Sequence, residues 1–425
     1  MKFVSTRGQS PPLDFSQAVL ESLAPDGGLY VPEYFPNFQG LNQLNPLKSL
    51  PALGSKILSQ FLKNEPREEE LREICERAFN FPLAMPFIAK QSAVLELFHG
   101  PTAAFKDFGA RFLAEWFTGQ ELGLRPTVLV ATSGDTGGAV ASAFFKKPGL
   151  EVIILFPKGK VSLRQQKQLV CWGENIKAYA VQGDFDDCQR LVKNALADSE
   201  IRQSRTLLSA NSINLGRLLP QTIYYAAAGL EYFQKTGKVP GFIVPSGNLG
   251  NSVAALYAMK MGFPIRQVVL ATNANSSITQ FFRSGNWMPN VTVPTLANAM
   301  DVGNPSNIER LRALFPEMSE LQKQVQAFSV VDTEIKSTIQ KGVAKWGQVW
   351  CPHTATAVNV REQLGGDDWI IVATAHPAKF ETIIEPLIGR LLEVPTPLLA
   401  LLEKPDRFLE LGNEYSEFKR ELFSI

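Results

Sequence analysis

One lysine of this chain stands where an amine could act as a nucleophile. Lys106 lies in His99-Gly100-Pro101-Thr102-Ala103-Ala104-Phe105-Lys106-Asp107-Phe108, among small and aromatic residues. Apolar surroundings disfavour the ammonium ion and so supply the neutral amine that Schiff-base chemistry needs. The alternative is a lysine whose stem packs on Phe105 and whose head pairs with Asp107. Two glycine-rich loops could receive anions. Thr132-Ser133-Gly134-Asp135-Thr136-Gly137-Gly138 leads into an apolar helix over 139–145, and Pro245-Ser246-Gly247-Asn248-Leu249-Gly250-Asn251 leads into one over 252–260. Glycine lets the backbone approach a ligand closely, and free N–H groups at a helix start suit a carboxylate or a phosphate. The alternative for each loop is a turn with an ordinary helix cap, and a second such loop in one α/β chain weighs against it. A fourth segment, Val372-Ala373-Thr374-Ala375-His376-Pro377-Ala378-Lys379-Phe380, puts Thr374 where it could face a bound heterocycle, with His376 and Lys379 satisfying the turn.

These segments need elements to hold them together. From Thr127 onward, short apolar runs alternate with helical stretches: 127–131, 151–155, 178–181, 241–244, 267–270 and 369–372. Strands that are apolar on both faces and separated by helices belong to a parallel sheet covered on each side, so the class is α/β. Ligands in such sheets collect at the carboxyl ends of the strands, which is where the glycine loops and Thr374 fall. The first hundred residues are less regular. Asp26-Gly27-Gly28 and the prolines Pro32, Pro36 and Pro46 mark turns. A helix is expected over 65–79, with Arg67-Glu68-Glu69-Glu70 as its solvated face.

Several function classes lose their footing. With 42 Lys+Arg against 41 Asp+Glu in 425 residues, there is no positive excess to release counterions from a polyanion, so nucleic acid is not an expected partner. Neither loop is G-x-G-x-x-G, no phosphate-loop motif with its lysine occurs, and no G-x-S-x-G elbow is present. The three histidines, His99, His353 and His376, form no H-E-x-x-H, and the four cysteines form no C-x-x-C. No metal is expected, and the thiols read as unpaired in a reducing compartment. The N-terminus lacks an apolar leader, and the apolar stretch 392–402 is broken by Pro395 and Pro397. A cytoplasmic protein is expected.

Taken together, the segments resemble the threonine synthase family of the longer bacterial and fungal type, within the tryptophan-synthase-β-like (fold type II) pyridoxal-phosphate enzymes. The resemblance runs along nearly the whole chain. It is carried by Ser5-Thr6-Arg7-Gly8, 23–32, 99–109, 132–138, Asn211-Ser212-Ile213-Asn214 with Arg217, 245–251 and 374–380. It implies that Lys106 holds pyridoxal 5'-phosphate as a Schiff base, that Gly247, Asn248, Leu249, Gly250 and Asn251 hold the cofactor phosphate, and that Thr374 bonds the ring nitrogen. The substrate anion site would be Thr132, Ser133, Gly134 and Thr136, with Asn214 and Arg217 as further contacts. Lys158, Lys160 and Arg164 are weaker candidates for the leaving phosphate. Asp135 stands where many relatives place an asparagine near the phenolic oxygen, and a carboxylate there would repel a phenolate.

The activity implied is that of a carbon–oxygen lyase acting on a phosphate: O-phospho-L-homoserine and water give L-threonine and phosphate. The resemblance also implies an N-terminal extension domain over 1–95 and a catalytic region over 96–425, with about 125–210 as its smaller subdomain. A serine or threonine dehydratase would share both loops, though not the lysine segment or the long N-terminal region. A pyridoxal- or phosphate-binding protein without activity is the alternative of another class.

Overall fold

The computed structural model of the chain describes residues 1–38, 46–47, 50–366 and 368–424. All six runs expected as strands form them, in two separate sheets. The larger has six strands in the order Val325–Ser329, Val268–Thr272, Gly241–Pro245, Trp369–Ala373, Ser92–Glu96, Phe87–Ala89. Its pairs are parallel except the last, which is antiparallel. The smaller has five parallel strands in the order Leu409–Leu411, Ile176–Val181, Glu151–Pro157, Thr127–Ala131, Leu207–Ser209.

Alternation along each strand explains how both sheets share one core. In the smaller sheet Val128, Val130, Val152 and Ile154 face a large cluster that continues into the larger sheet through Phe242, Val244, Ile370 and Val372. The residues between them point the other way. Leu129, Ile153 and Leu155 pack with Cys188, Leu191 and Phe418, while Ile243, Val269 and Ile371 pack with Ile335, Ile339 and Val358. At about 1.5–3 kcal/mol per fully buried aliphatic side chain, two-faced burial makes these strands the anchors of the fold. The helices Lys106–Phe117, Thr222–Thr236 and Gly250–Lys260 contribute to the cluster between the sheets, so a side chain at their ends opens onto the gap between the two layers.

The N-terminal part differs from expectation in one element. The helix over 65–79 is shortened to Leu71–Ala78, because the preceding residues are taken up in capping other helices. The Glu65 carboxylate accepts the N–H groups of Phe15 (2.6 Å) and Ser16 (3.1 Å) at the start of the helix Phe15–Glu21. Arg67, expected on a solvated face, is buried and donates to the carbonyls of Glu115, Trp116 and Thr118 at 2.7–2.8 Å. A cation there meets the negative end of the helix Lys106–Phe117. Pro32, expected in a turn, ends the strand Tyr30–Pro32, which pairs antiparallel with Phe3–Ser5. The four cysteines are buried free thiols. Among the described residues no helix is long and apolar enough to cross a membrane.

The segment Ser5-Thr6-Arg7-Gly8 is tied to a helix far along the chain, Ile308–Leu314. Thr6 Oγ1 and Arg7 Nη2 donate to Glu309 at 2.9 and 2.7 Å. Next to it, the fully buried Arg310 donates to the carbonyls of Tyr30 (3.1 Å), Ser212 (2.9 Å) and Ile213 (2.6 Å). One guanidinium thus joins the N-terminal ribbon to a loop that walls the site.

Candidate active site

Lys106 is the first residue of its helix, and its position is fixed by the end of the strand Trp369–Ala373. Phe105 N–H donates to the Thr374 carbonyl (2.8 Å), and His376 N–H donates to the Ala103 carbonyl (3.0 Å). The pairing with Asp107 considered from sequence does not form. Asp107 instead accepts the N–H and hydroxyl of Thr102 at 2.9 and 2.6 Å, while the Lys106 ammonium lies 5.5 Å from the centre of the Phe105 ring. Burial pushes the Lys106 amine down to about 8; Asp135 opposes this, and Lys379 and Arg217 reinforce it. A substantial neutral fraction near neutral pH is the state a nucleophilic amine needs.

Opposite Lys106, the loop 246–251 forms a cradle of N–H groups. The helix Gly250–Lys260 makes its first backbone bond from Val253 to Leu249 (2.9 Å), which leaves the N–H groups of Gly250, Asn251 and Ser252 without carbonyl partners among the described residues. Leu249 sits in the left-handed region (φ 63°), a strained backbone for a branched residue that turns the loop inward. A Cβ on Gly247 would lie 2.6 Å from Met300 Cα, so only glycine lets these backbones touch. Asn251 is oriented by two tyrosines: its Oδ1 accepts from Tyr224 (2.5 Å) and Tyr225 (2.8 Å). Its buried Nδ2 has no partner among the described residues and remains a donor for a ligand. A compact dianion fits such a nest.

The loop 132–138 turns at Gly134 (φ 132°) into the helix Asp135–Phe144. The Thr132 hydroxyl accepts the N–H groups of Gly134 (3.0 Å) and Gly137 (2.9 Å), so its oxygen serves the turn. Asp135 is almost fully buried and forms an ion pair with Lys379 (2.9 Å). It also accepts from Gln165 (3.0 Å). Burial favours the protonated acid, but Lys379, then Lys106 and His353, and the Gln165 amide outweigh it and hold Asp135 well below the usual carboxylate range. Lys379 also donates to the Thr102 carbonyl (2.7 Å). Its role is therefore larger than satisfying the turn, whereas His376 does that, its Nδ1 accepting the Ala378 N–H (3.2 Å).

One cleft between the sheets is lined by Lys106, Thr132, Ser133, Asp135, Thr136, Arg217, Gly247, Asn248, Leu249, Gly250, Asn251 and Thr374. Gly134 and Asn214 do not line it. Asn214 is fully buried, with its amide spent on Val19 O, Ser22 Oγ, Ser209 O and Gly216 N–H. Arg217 is buried, not a surface arginine: its Nη1 donates to the Ala210 carbonyl and its Nε has no partner among the described residues. Burial pushes its guanidinium down to about 10, against the pull of Asp107 and Tyr224. Lys158 pairs with Glu410 and Arg164 with Glu381 and Glu385, outside the cleft. Sequence reasoning passed over His353, which lines the cleft at 3% exposure and which burial pushes down to about 4, Lys106 and Lys379 adding to the effect and Asp135 opposing it. No motif surrounds it, so only its position in space marks it.

A reactive amine facing a glycine N–H cradle, between two parallel α/β layers, defines a pyridoxal-phosphate dependent enzyme. The family model described as pyridoxal-phosphate dependent enzyme matches residues 89–375. Those described as threonine synthase N terminus and threonine synthase, C-terminal match 2–79 and 354–421. The chain belongs to the threonine synthase family. It is 38% identical to the threonine synthase of Serratia marcescens over 430 residues, covering all of both chains. The crystal structure of the Escherichia coli threonine synthase aligns over 100% of both chains with a TM-score of 0.89 at 36% identity. A structure of pyridoxal-phosphate-bound threonine synthase from Brucella melitensis gives a TM-score of 0.91 at 33% identity, covering 99% of this chain and 98% of that one.

Proposed function

We propose that the chain catalyses the reaction for which its family is named, converting O-phospho-L-homoserine and water into L-threonine and phosphate with pyridoxal 5'-phosphate as cofactor. The observation that carries this reading is the pairing, across one cleft, of a buried lysine amine with a nest of N–H donors that have no partner among the described residues. Lys106 anchors the cofactor aldehyde, and residues 247–251 hold its phosphate through backbone N–H groups and Asn251 Nδ2. The Thr374 hydroxyl serves the ring nitrogen. When bound, the cofactor supplies the electron sink for charge developing at the substrate Cα.

The protein supplies position and protons. The Lys106 amine, when free, would be a base of suitable strength to take the substrate Cα proton and to assist at Cβ. The N–H groups of Ser133 and Thr136, with their hydroxyls, suit the substrate carboxylate. Arg217, whose Nε on the wall has no partner among the described residues, suits the phosphate that leaves Cγ, and water then adds at Cβ. The N-terminal extension expected over 1–95 would buttress the catalytic region expected over 96–425, whose smaller part, about 125–210, carries the substrate loop; the strands Phe87–Ala89 and Ser92–Glu96 already belong to the catalytic sheet, so the extension is better ended before them. Buried free thiols agree with a reducing, cytoplasmic setting.

The test is direct. Purified protein given O-phosphohomoserine should release phosphate and form threonine in equal amount, and borohydride should fix the cofactor to the peptide containing Lys106. Lys106→Ala should do neither. Deamination of serine or threonine with O-phosphohomoserine left untouched would assign the chain to the dehydratases instead.

A further inference from the structure

Three buried nitrogens on the wall of the cleft have no protein partner among the described residues: Arg217 Nε, Asn251 Nδ2 and His353 Nδ1. The first two have roles in the proposed reaction. His353 has none, and its surroundings are specific. It stands in the first turn of the helix Pro352–Gln363, with its ring packed 4.9 Å from that of Phe380. Its Nε2 accepts the N–H of Ala299 at 3.1 Å. A ring nitrogen that accepts a backbone N–H carries no proton of its own, so the proton of the neutral ring is on Nδ1. Burial above all disfavours a second proton; Asp135 opposes this, and Lys106 and Lys379 add to it. His353 is thus a neutral ring with one fixed donor and no acceptor among the described residues, an arrangement that leaves its desolvation uncompensated until something else accepts.

The neighbours of the ring restrict what that acceptor is. Thr354 Oγ1, one residue on, accepts the N–H of Thr374 (3.3 Å), and the Thr374 carbonyl accepts the N–H of Phe105 (2.8 Å), so His353 is tied to the same strand end as Lys106. In pyridoxal, the phenolic oxygen is on the ring carbon next to the one that bears the aldehyde. With the aldehyde carbon on Lys106 Nζ, that oxygen lies close to the lysine. The carboxylate at hand, Asp135, is ionised and can only accept, and it repels a phenolate. A donor is required there, and a neutral one adds no charge to the Lys379–Asp135 pair. We propose that His353 Nδ1–H donates to the phenolic oxygen of the bound cofactor, with Ala299 N–H holding the ring in the required tautomer. This rests on the cofactor assignment made above.

Two substitutions separate the donor from the clamp. His353→Asn places an amide about where Nδ1 was and leaves Ala299 unheld. His353→Gln places an amide about where Nε2 was, able to hold Ala299, and removes the donor. The readouts are the visible absorption band of the resting holoenzyme without substrate, the affinity of the apoprotein for the cofactor, and the affinity of the holoenzyme for L-threonine. The expected result is a displaced band and about tenfold weaker cofactor binding in His353→Gln, with both largely restored in His353→Asn, tenfold being the scale of one charge-assisted hydrogen bond. The reverse order, His353→Gln behaving as wild type and His353→Asn impaired, would mean that the ring only clamps Ala299 and would overturn the proposal. So would an unchanged band in both variants with weakened L-threonine binding, which would direct the donor to the substrate carboxylate. A wild-type protein that forms no visible band with pyridoxal phosphate would instead overturn the cofactor assignment itself.

Discussion

Asp135 brings a negative charge into the wall of the cleft, and its cost is met by a lysine from the far side of the molecule's sequence. The Lys379 ammonium is fully buried, with Asp135 (2.9 Å) and the Thr102 carbonyl (2.7 Å) as its partners. Such a pair contributes little net stability when intact, yet removing one member strands the other. Asp135→Asn is expected to lower the unfolding free energy by about 3–5 kcal/mol, read from urea denaturation, and adding Lys379→Met should recover most of that loss. Equal losses that simply add would show that the two residues are independent. The same pair clarifies the objection raised by sequence, that a carboxylate would repel the cofactor phenolate: Lys379 neutralises much of that field. Lys106 makes a second prediction. Its amine is pushed down to about 8, so it is mostly protonated below that pH and mostly free above it. The rate at which apoprotein captures the cofactor should rise through about pH 8 and then level off, where an ordinary lysine would keep rising to about 10.4.

At the scale of elements, the site depends on two helix starts and one strand end. Gly247→Ala puts a methyl group 2.6 Å from Met300 Cα, a backbone atom that cannot swing aside. Shifting the loop spoils one or more N–H bonds to the cofactor phosphate, and cofactor affinity should fall about tenfold or more in titrations of apoprotein. These loops are legible in the sequence because glycine between an apolar strand and a helix start turns the backbone sharply or brings it close to a ligand. The β-branched runs before them are legible because both faces are buried. The short strands Ser92–Glu96 and Leu207–Ser209 are not legible in the same way. Leu207–Ser209 has only three residues, Ser92–Glu96 has no glycine or proline directly at either end, and each is held by neighbours from distant sequence. The helix over 65–79 is overread for the same reason, since Glu65 and Arg67 cap helices that begin fifty residues before and end fifty residues after them.

For the molecule as a whole, the N-terminal ribbon and the catalytic layers are joined through the helix Ile308–Leu314, and the two arginines involved should behave differently. Arg7 and Glu309 form a half-exposed pair, so Arg7→Ala should leave thermal stability nearly unchanged. Arg310→Met removes the guanidinium donor from one buried and two part-buried carbonyls and should cost about 3 kcal/mol or more, with loss of cofactor affinity in the fraction that still folds. What the sequence by itself determined is the set of local preferences: apolar strands, glycine turns before helices, and a lysine among apolar residues. Those depend on side-chain size, backbone freedom and period, which are properties of near neighbours along the chain. Only the tertiary structure decided that Lys106 avoids Asp107, that Asp135 pairs with Lys379, that Arg217 is buried beside the cleft, and that His353 presents a lone donor there. Each of these rests on desolvation and on charges brought together from remote segments, and neither quantity exists until the chain has folded.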